Sequence, residues 1–347
     1  MKRLLLAVVA LVALLAADAK PKQGAEAEIK VGTYNVWGNK QRHSMVYKYK
    51  TAPTDRLWEH SRENVAQMII DAGWDIFGVQ EGGNLVREEL PALVKAKGGK
   101  YKWWFQRPNP AIPEKEDTNL ANGMVWRSDR FKVSDKQVYW LSPTPDTPSK
   151  AWEEKVKHWR FVMSARVKDK KTGLEFIFMV THCPLMKSVN EKAAKLIVER
   201  EKQTNLDDEV VIFVGDMNSR LDSPYTRIIR TRFTDTRDIA AARSKFAGTM
   251  NGAEVREIPK DYTLDYIYIR GSKLKYEVLR HDVLVDKYKV NGKEYFPSDH
   301  CPVTAIVKIV VQSLGRFQLF ATPWTCSTPD FPVLHHLPEL AQTHDHW

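Results

Sequence analysis

The sequence predicts an α/β fold in which two packed β-sheets carry helices on their outer sides, within one domain. Two observations support this prediction. Many short apolar runs are rich in β-branched and aromatic residues and end at turn residues, as strands do. Far fewer stretches have the periodicity of an amphipathic helix. Many strands with few helices between them are typical of layered α/β domains, and 347 residues could hold one large domain or two smaller ones.

The two clearest helices are expected at residues 56–72 and 188–202. The first places Trp58 and Val65 on one side, at helical spacing. The second opens on Ser188, which forms a capping box with the glutamate three residues later. The predicted strands are residues 75–80, 122–127, 138–141, 160–168, 174–181, 210–214, 264–269 and 302–309.

Polar residues end several of the apolar runs. A strand that ends this way buries its apolar part and delivers a polar group to one edge of a sheet, where α/β proteins commonly place their sites. Carboxylates and amides there suit a hard cation such as Mg²⁺, and histidines supply proton transfer near neutral pH. The sequence therefore predicts a metal-dependent hydrolase. The positions are Asn35, Glu81, His182, Asp216, Asn218, Asp265 and the pair Asp299 and His300.

Each of these residues has a structural explanation when it is taken alone. Asn35 resembles an ordinary turn residue, and Asp216 resembles a helix cap after a strand. The triplet Ser298-Asp299-His300 occurs by chance in many chains. Their common position at strand ends is what favours a functional site.

The formal net charge of +10 says less about the binding partners than the strand-end residues say about the chemistry. A basic surface attracts nucleic acids and anionic lipid head groups by long-range electrostatics. A lysine-rich solvated surface is the alternative, because no block of five like charges stands out. Trp103 and Trp104 could stack on bases, and they could equally pack in the core. Composition leaves these alternatives open.

The N-terminus predicts a secretory signal at residues 1–19. Lys2 and Arg3 precede the apolar stretch 4–17, and Ala-Asp-Ala at 17–19 is a cleavage site of the small-x-small type. Fourteen apolar residues are too few to span a bilayer, so no stable membrane insertion is expected. The mature protein is predicted to be secreted or periplasmic.

The C-terminal segment, residues 312–347, differs in kind from the rest of the chain. It has no clean periodicity, and it follows the last predicted strand. Terminal segments of this kind rarely carry a site. We expect an unrelated tail, disordered or artefactual, and a functional domain of residues 20–311.

Cys183 and Cys301 each directly follow a predicted site histidine. Because side chains alternate along a strand, each cysteine should point into the core where its histidine points to the site. Two buried free thiols are expected. A disulfide between them would need a Cα separation under about 7 Å, which sequence cannot establish.

Seven motifs together carry a resemblance to a known family. The chain resembles the endonuclease/exonuclease/phosphatase superfamily, with the deoxyribonuclease-I-like fold, and in particular a bacterial exported branch, from about Ile29 to Ile309. The resemblance implies a four-layer α/β/β/α sandwich of two mainly antiparallel sheets flanked by helices. It also implies Mg²⁺- or Mn²⁺-dependent cleavage of phosphoester bonds. The motifs are TYNVWG, VQEG, NGMVWRSDRF, THCP, GDMNSR, LDYIYI and SDHCPV.

The resemblance assigns a cation and a proton acceptor to this site. Glu81 is expected to bind the metal, with Asn35 beside it and Asp299 near it. Carboxylates, substrate oxygens and waters would complete an octahedral shell. His300 is expected to pair with Asp265, which fixes its tautomer and makes the dyad the general base.

The remaining roles concern the substrate. By resemblance, Asp216 and Asn218 orient the attacking water or the phosphoryl group. His182 donates to a non-bridging phosphate oxygen, and Arg160 adds a second positive contact. One departure lies in residues 182–185, His-Cys-Pro-Leu, where the related branch commonly has His-Leu-Asp-His. We expect this difference at the rim of the site to affect substrate choice.

These observations predict an exported metal-dependent phosphoester hydrolase that acts as a monomer. Its partner is expected to be a phosphorylated small molecule, a phospholipid head group or a nucleic acid. An extracellular nuclease specific for DNA or RNA is one alternative. A catalytically silent polyanion-binding module is another, and it would be expected to lack residues such as Glu81, Asp216 or His300, which are all present.

Overall fold

The computed structural model describes most of the chain between residues 24 and 311. The predicted signal at 1–19, the predicted tail at 312–347 and the third cysteine, Cys326, lie outside the described residues, so these predictions stay predictions. None of the helices in the described part is long and apolar enough to cross a membrane. The described ranges are 24–38, 58–112, 121–153, 159–245, 248–252, 258–259, 262–290 and 292–311.

Strands dominate the described residues, and helices are inserted between some of them. The strands are β1 (Glu26–Asn35), β2 (Ile76–Gly82), β3 (Tyr101–Gln106), β4 (Ala121–Arg127), β5 (Phe131–Trp140), β6 (Phe161–Asp169), β7 (Glu175–His182), β8 (Val211–Asp216), β9 (Thr234–Asp235), β10 (Ala242–Arg243), β11 (Asp265–Arg270), β12 (Lys275–Val283), β13 (Tyr288–Val290), β14 (Lys293–Tyr295) and β15 (Val303–Val310). The helices are α1 (Trp58–Ala72), α2 (Asn84–Ala96), α3 (Lys187–Thr204), α4 (Pro224–Ile229) and α5 (Thr236–Ile239).

Two large sheets form the centre of the fold. The first has the strand order β10-β12-β15-β1-β2-β4-β3, and the second has the order β5-β6-β7-β8-β11-β9. Most neighbours are antiparallel, while β1 and β2, β7 and β8, and β10 and β12 run parallel. The strands β13 and β14 form a separate hairpin. The prediction of two mainly antiparallel sheets is confirmed.

The buried side chains show how the layers stack. In β8, Ile212 and Val214 belong to the core between the sheets, whereas Val211 and Phe213 belong to a core on the outer face of the second sheet. That outer core includes side chains of α3 and α4. A third core covers the outer face of the first sheet and includes side chains of α1 and α2. The fold is therefore the predicted α/β/β/α sandwich.

The structure corrects the predicted start of α3. The helix begins at Lys187, and Met186 is its N-cap residue without a side-chain capping bond. Ser188 lies inside the first turn, where its hydroxyl donates to Glu153 Oε1 at 2.7 Å. The predicted capping box was wrong because a contact with a distant loop takes the serine hydroxyl.

The sequence reading also missed α2, β3 and β12. Pro91 lies within α2, where a proline normally indicates that a helix ends. The helix nevertheless continues through it, with Val86, Leu90 and Val94 buried along one face. In β3, the ring of Trp103 stacks on Phe105 with centroids 5.7 Å apart. Trp103 therefore packs within the fold, which is one of the two alternatives that the sequence left open for it.

Both described cysteines are buried free thiols, as predicted. Cys183 lies in the outer core of the second sheet, where its Sγ is 3.2 Å from the hydroxyl of Tyr225. Cys301 lies in the core between the sheets. Burial raises the pKa of each thiol to about 12, so both stay protonated and unreactive.

The close approach of β7 and β8 requires a glycine at position 215. Its φ is +152°, and a Cβ at this position would lie 2.1 Å from the carbonyl oxygen of Thr181. We expect Gly215→Ala to lower the free energy of unfolding by about 3 kcal/mol or more, measured by urea denaturation. Gly98→Ala is the control, because Gly98 has φ +90° with nothing near its Cβ, and it should cost only about 1 kcal/mol. Equal losses in the two variants would contradict the account.

His281 in β12 predicts a pH dependence of stability. The Thr236 hydroxyl donates to Ile267 O at 2.8 Å, so Nδ1–H of His281 donates to Thr236 Oγ1 at 2.9 Å. Burial, together with Arg237, lowers the pKa of His281 from 6.5 to about 4. As the pH falls, His281 is therefore protonated in the unfolded chain before it is protonated in the folded one. The stability that the neutral histidine contributes is complete above pH 6.5 and is lost as the pH falls to about 4.

We expect His281 to contribute about 3 kcal/mol to the loss of stability between pH 7 and pH 4. Urea denaturation across this range, on wild type and His281→Gln, measures it. The variant should lose less stability on acidification than the wild type. Parallel curves would show that His281 is not the group that titrates.

Candidate active site

The predicted site residues extend the inward-facing side of their strands. In β8, Ile212 and Val214 face the other sheet, and Asp216 follows at the same spacing. Asp216 is paired with His182 of β7 on one side and with Asp265 of β11 on the other. The three side chains therefore lie side by side where the apolar core between the sheets ends.

Glu81 reaches this site through an irregularity in β2. Phe77 and Val79 face the outer layer, and regular alternation would send Glu81 the same way. Instead Glu81 has φ +57°, and the register with β4 shifts between Val79 and Gly82. This bulge brings the carboxylate within 3.3 Å of Asn35 Nδ2. Left-handed backbone at a non-glycine residue costs energy and clusters at functional sites.

Asn35 links two carboxylates. Its Nδ2 donates to Asp216 Oδ2 at 3.0 Å and to Glu81 Oε1 at 3.3 Å. Its Oδ1 accepts the backbone N–H of Trp37 at 3.0 Å. The structure thus brings Asn35 and Glu81 together as predicted. In this arrangement, however, the amide nitrogen of Asn35 faces the carboxylates, and its oxygen faces the backbone.

His300 and Asp265 form the predicted pair. Nδ1 of His300 donates to Asp265 Oδ2 at 2.7 Å, and Nε2 lies 3.7 Å from Asp216 Oδ2. Burial by itself would lower the pKa of His300, but Asp265 and Asp216 outweigh it and hold the pKa well above its ordinary value. The imidazole therefore lies between two carboxylates and is positively charged at neutral pH.

Asp216 is the residue on which most contacts of the site converge. Besides Asn35, its carboxylate accepts the backbone N–H of Asn218 at 2.8 Å and lies 3.3 Å from Nε2 of His182. Burial raises the pKa of Asp216 to about 6, with Asp265 adding to the effect and His300 opposing it. A carboxylate with so many donors is held in one orientation.

Asn218 lies beside the site, but its side chain bonds to the protein backbone and not to the carboxylates. It has φ +48°, and its Nδ2 donates to the carbonyl oxygen of Cys183 at 2.9 Å. This bond ties the loop after β8 to the loop after β7. The backbone of Asn218, through its N–H, is what contacts Asp216.

Glu81 and Asp299 form a candidate cation site. Burial and the neighbouring carboxylate of Asp299 raise the pKa of Glu81 to about 7. Two carboxylates that repel each other in a partly dehydrated place are a donor set that a divalent cation would neutralise. The residues present therefore fit the metal that the sequence predicts.

A second cation position adjoins the first. The ligand atoms of Asp216, Asp265 and His300 lie within 4.8 Å of one another, so this buried group could hold a divalent metal. Oδ1 of Asp265 is buried and accepts no hydrogen bond. The chemistry of both groups suits a divalent cation, and neither identifies Mg²⁺ over Mn²⁺.

Arg160 is a buried cation at the same end of the sandwich. The residue is 4% exposed, and its Nε and Nη1 have no hydrogen-bond partner. Burial lowers the pKa of Arg160, while Glu81 and Asp216 act against this. Since buried polar groups almost always have partners, a guanidinium in this state is suited to bind an anion.

Sequence reasoning missed Asn251, which holds the segment that carries Asp299. Its backbone N–H donates to the carbonyl oxygen of Asp299 at 2.9 Å, and its Nδ2 donates to that of Ser298 at 3.0 Å. Ser298 in turn donates to the carbonyl oxygen of Asn35 at 2.7 Å. Asn251 follows no predicted strand, so no local pattern in the sequence marks it.

Comparison with known proteins decides the family. The model of the Endonuclease/Exonuclease/phosphatase family matches residues 32–300, which include every predicted site residue. The chain belongs to this family. The family contains endonucleases, exonucleases and phosphatases, enzymes that hydrolyse phosphoester bonds. The resemblance seen in the motifs is confirmed.

Solved structures of this family share the fold. A family protein from Bacteroides thetaiotaomicron is 23% identical, with a TM-score of 0.71, and the match covers 82% of this chain and 96% of that one. A mannosyl-6-phosphatase of the same organism is 24% identical, with a TM-score of 0.69 and coverage of 80% and 99%.

A relative is also found by sequence. An uncharacterized protein of Acanthamoeba polyphaga mimivirus is 21% identical over 259 residues, 72% of this chain and 91% of that protein.

The repulsion between Glu81 and Asp299 gives a stability prediction. In EDTA, we expect Glu81→Gln to raise the melting temperature by about 2 °C or more, because it removes a charge held near another carboxylate. With excess Mg²⁺, the wild type should gain stability by mass action, and the variant should gain much less. Differential scanning calorimetry measures both effects.

Glu88→Gln is the matched control, because Glu88 is exposed on the neighbouring helix α2. It should leave both the melting temperature and the Mg²⁺ response unchanged. A Glu81→Gln variant that is less stable in EDTA, or that keeps the full Mg²⁺ response, would refute the assignment of Glu81 to the cation.

Proposed function

We propose that the chain is an exported, divalent-metal-dependent hydrolase of phosphoester bonds. One observation carries the proposal. Arg160, buried and with two guanidinium nitrogens unpartnered, lies near the carboxylates of Glu81 and Asp216. A phosphate together with a divalent cation would complement both at once, since the anion suits the guanidinium and the cation suits the carboxylates. Export rests on the signal predicted at residues 1–19.

In this proposal the chain binds the phosphoryl group from two sides. Arg160 binds non-bridging oxygens through Nε and Nη1, and His182 donates to another from the adjacent strand. A divalent cation, when bound at Glu81 and Asp299, supplies Lewis-acid stabilisation of the charge on the phosphoryl oxygens. Fixed donors of this kind stabilise the transition state without reorganisation.

Proton transfer is assigned to the group around His300. Because Nδ1 is bonded to Asp265 at 2.7 Å, Nε2 is the ring atom that faces Asp216. We assign uptake of the attacking water's proton to the Oδ2 atom of Asp216, which the protonated Nε2 of His300 faces at 3.7 Å. Asn35 and the backbone N–H of Asn218 keep the Asp216 carboxylate in place.

The choice between phosphatase and nuclease is part of the same proposal. The similar mannosyl-6-phosphatase shows that this fold can carry phosphatase activity, and the family also includes nucleases. Both activities therefore remain within the proposal. Hydrolysis of a chromogenic phosphodiester, a phosphomonoester and plasmid DNA in the presence of Mg²⁺ separates these activities.

We expect His300→Ala to lower turnover by about 10²–10⁴-fold, because it removes the imidazolium that faces the proton-accepting carboxylate of Asp216. The assay is Mg²⁺-dependent hydrolysis of the best of the three substrates. His60→Ala is the control, since His60 is exposed on α1, and circular dichroism should show both variants folded. Near wild-type turnover in His300→Ala would sink the assignment, and unchanged turnover of the wild type in EDTA would sink the metal dependence.

A further inference from the structure

A groove adjoins the candidate active site on the side of Asn218. It has a volume of about 570 Å³ and lies between the loop after β7 and the loop after β8. Asn218 lines the groove, and its backbone N–H also donates to Asp216 at 2.8 Å. The groove and the Asp216 carboxylate therefore share Asn218 as a neighbour.

The charge of the groove is positive. Lys187, Arg220 and Arg227 line it, and Asp222 is the carboxylate among its lining residues. All four are exposed, so they meet a ligand without the cost of burying a charge. Three cations against one carboxylate favour an anionic group.

The frame that holds these cations is rigid. Asn190, which is buried in the wall of the groove, donates through Nδ2 to the carbonyl oxygens of Pro184 and Met217 at 2.7 and 3.0 Å. Its Oδ1 accepts the hydroxyl of Ser219 at 2.7 Å. One satisfied amide thus ties the two loops together, and a site framed in advance loses less entropy when it binds.

Two further contacts orient the arginines. The guanidinium of Arg220 lies over the ring of Tyr262, 4.2 Å from its centroid, which is a favourable cation–π distance. Arg227 donates from Nη1 to the carbonyl oxygen of Asp222 at 2.8 Å. Both guanidinium groups are therefore held in position along the groove.

The apolar part of the groove lies where the sequence departs from the related branch. Leu185, in the His-Cys-Pro-Leu stretch, is 72% exposed and lines the groove together with Leu221. An exposed leucine beside cations suits a ligand with an uncharged body between anionic groups.

We propose that this groove is a second anion subsite, which binds a phosphate group of the substrate other than the one that is cleaved. The inference rests on the proposed function and narrows its substrate class to phosphoesters that carry a second phosphate. The three cations of the groove lie outside the set of residues that performs the cleavage, so they select substrates without taking part in bond breaking.

Two chromogenic substrates that differ by one phosphate test the proposal. They are thymidine 5′-(p-nitrophenyl phosphate) and the same compound with a 3′-phosphate. In the wild type, kcat/KM should be about tenfold higher for the second compound, as expected for a charge-assisted contact at an exposed site. The double variant Lys187→Gln/Arg220→Gln should reduce this ratio to about 1.

A charge-matched control separates the groove from the overall charge. Lys192 and Lys195 are exposed on α3 and do not line the groove, so Lys192→Gln/Lys195→Gln should keep the ratio. Asp222→Asn, which removes the carboxylate, should increase it. A ratio near 1 in the wild type, or an equal fall in both double variants, would overturn the proposal.

The source of the second phosphate is tested in the same way. Fructose 1,6-bisphosphate against fructose 6-phosphate represents a small molecule, and a short oligodeoxynucleotide against a dinucleotide represents a nucleic-acid backbone. A preference in either pair that Lys187→Gln/Arg220→Gln removes supports the subsite and names its source. Preferences that survive this variant count against it.

Failure of the proposed function can be distinguished from failure of the subsite. If the wild type hydrolyses neither chromogenic compound, the subsite is tested by calorimetric titration with thymidine 3′,5′-bisphosphate and thymidine 5′-monophosphate. Tighter binding of the bisphosphate that is lost in Lys187→Gln/Arg220→Gln supports the subsite without the activity. Equal affinity for the two nucleotides in the wild type would rule it out.

Discussion

The site depends on the alternation of side chains along strands whose two faces are both buried. Because β7, β8 and β11 each pack against the opposite sheet, every second residue of these strands is apolar until the core ends. Asp216 takes the next inward position after Ile212 and Val214, with His182 and Asp265 paired beside it. A slip of one residue in any of these strands would place its polar group in an outer core.

Electrostatic frustration is the second feature that organises the site. Glu81 has its pKa raised to about 7 and Asp216 to about 6, mainly by burial, while Arg160 is buried with unpartnered nitrogens. Groups of both signs are kept close together without neutralising one another fully. In a family of phosphoester hydrolases, charged groups held in this state mark a candidate site for catalysis.

The sequence predicted the residues that follow a regular rule, and missed those that depend on long-range packing. Asp216 follows strict alternation, so an apolar run was enough to find it. Glu81 was found by its motif, but its position requires a bulge with φ +57° that alternation does not anticipate. Asn251 acts through a loop contact to Ser298, and Ser188 bonds to Glu153 instead of capping α3. Tertiary contacts decided both, and local patterns do not report them.

The most direct measurement is a crystal structure of the protein grown with Mn²⁺ and tungstate, with anomalous diffraction recorded for both. We expect a manganese ion between Glu81 and Asp299 or at Asp265. We also expect a tungstate in contact with the Nε and Nη1 atoms of Arg160. If tungstate were absent from Arg160, or manganese bound only outside this group of carboxylates, the assignment of the site to metal-assisted phosphoester hydrolysis would be contradicted.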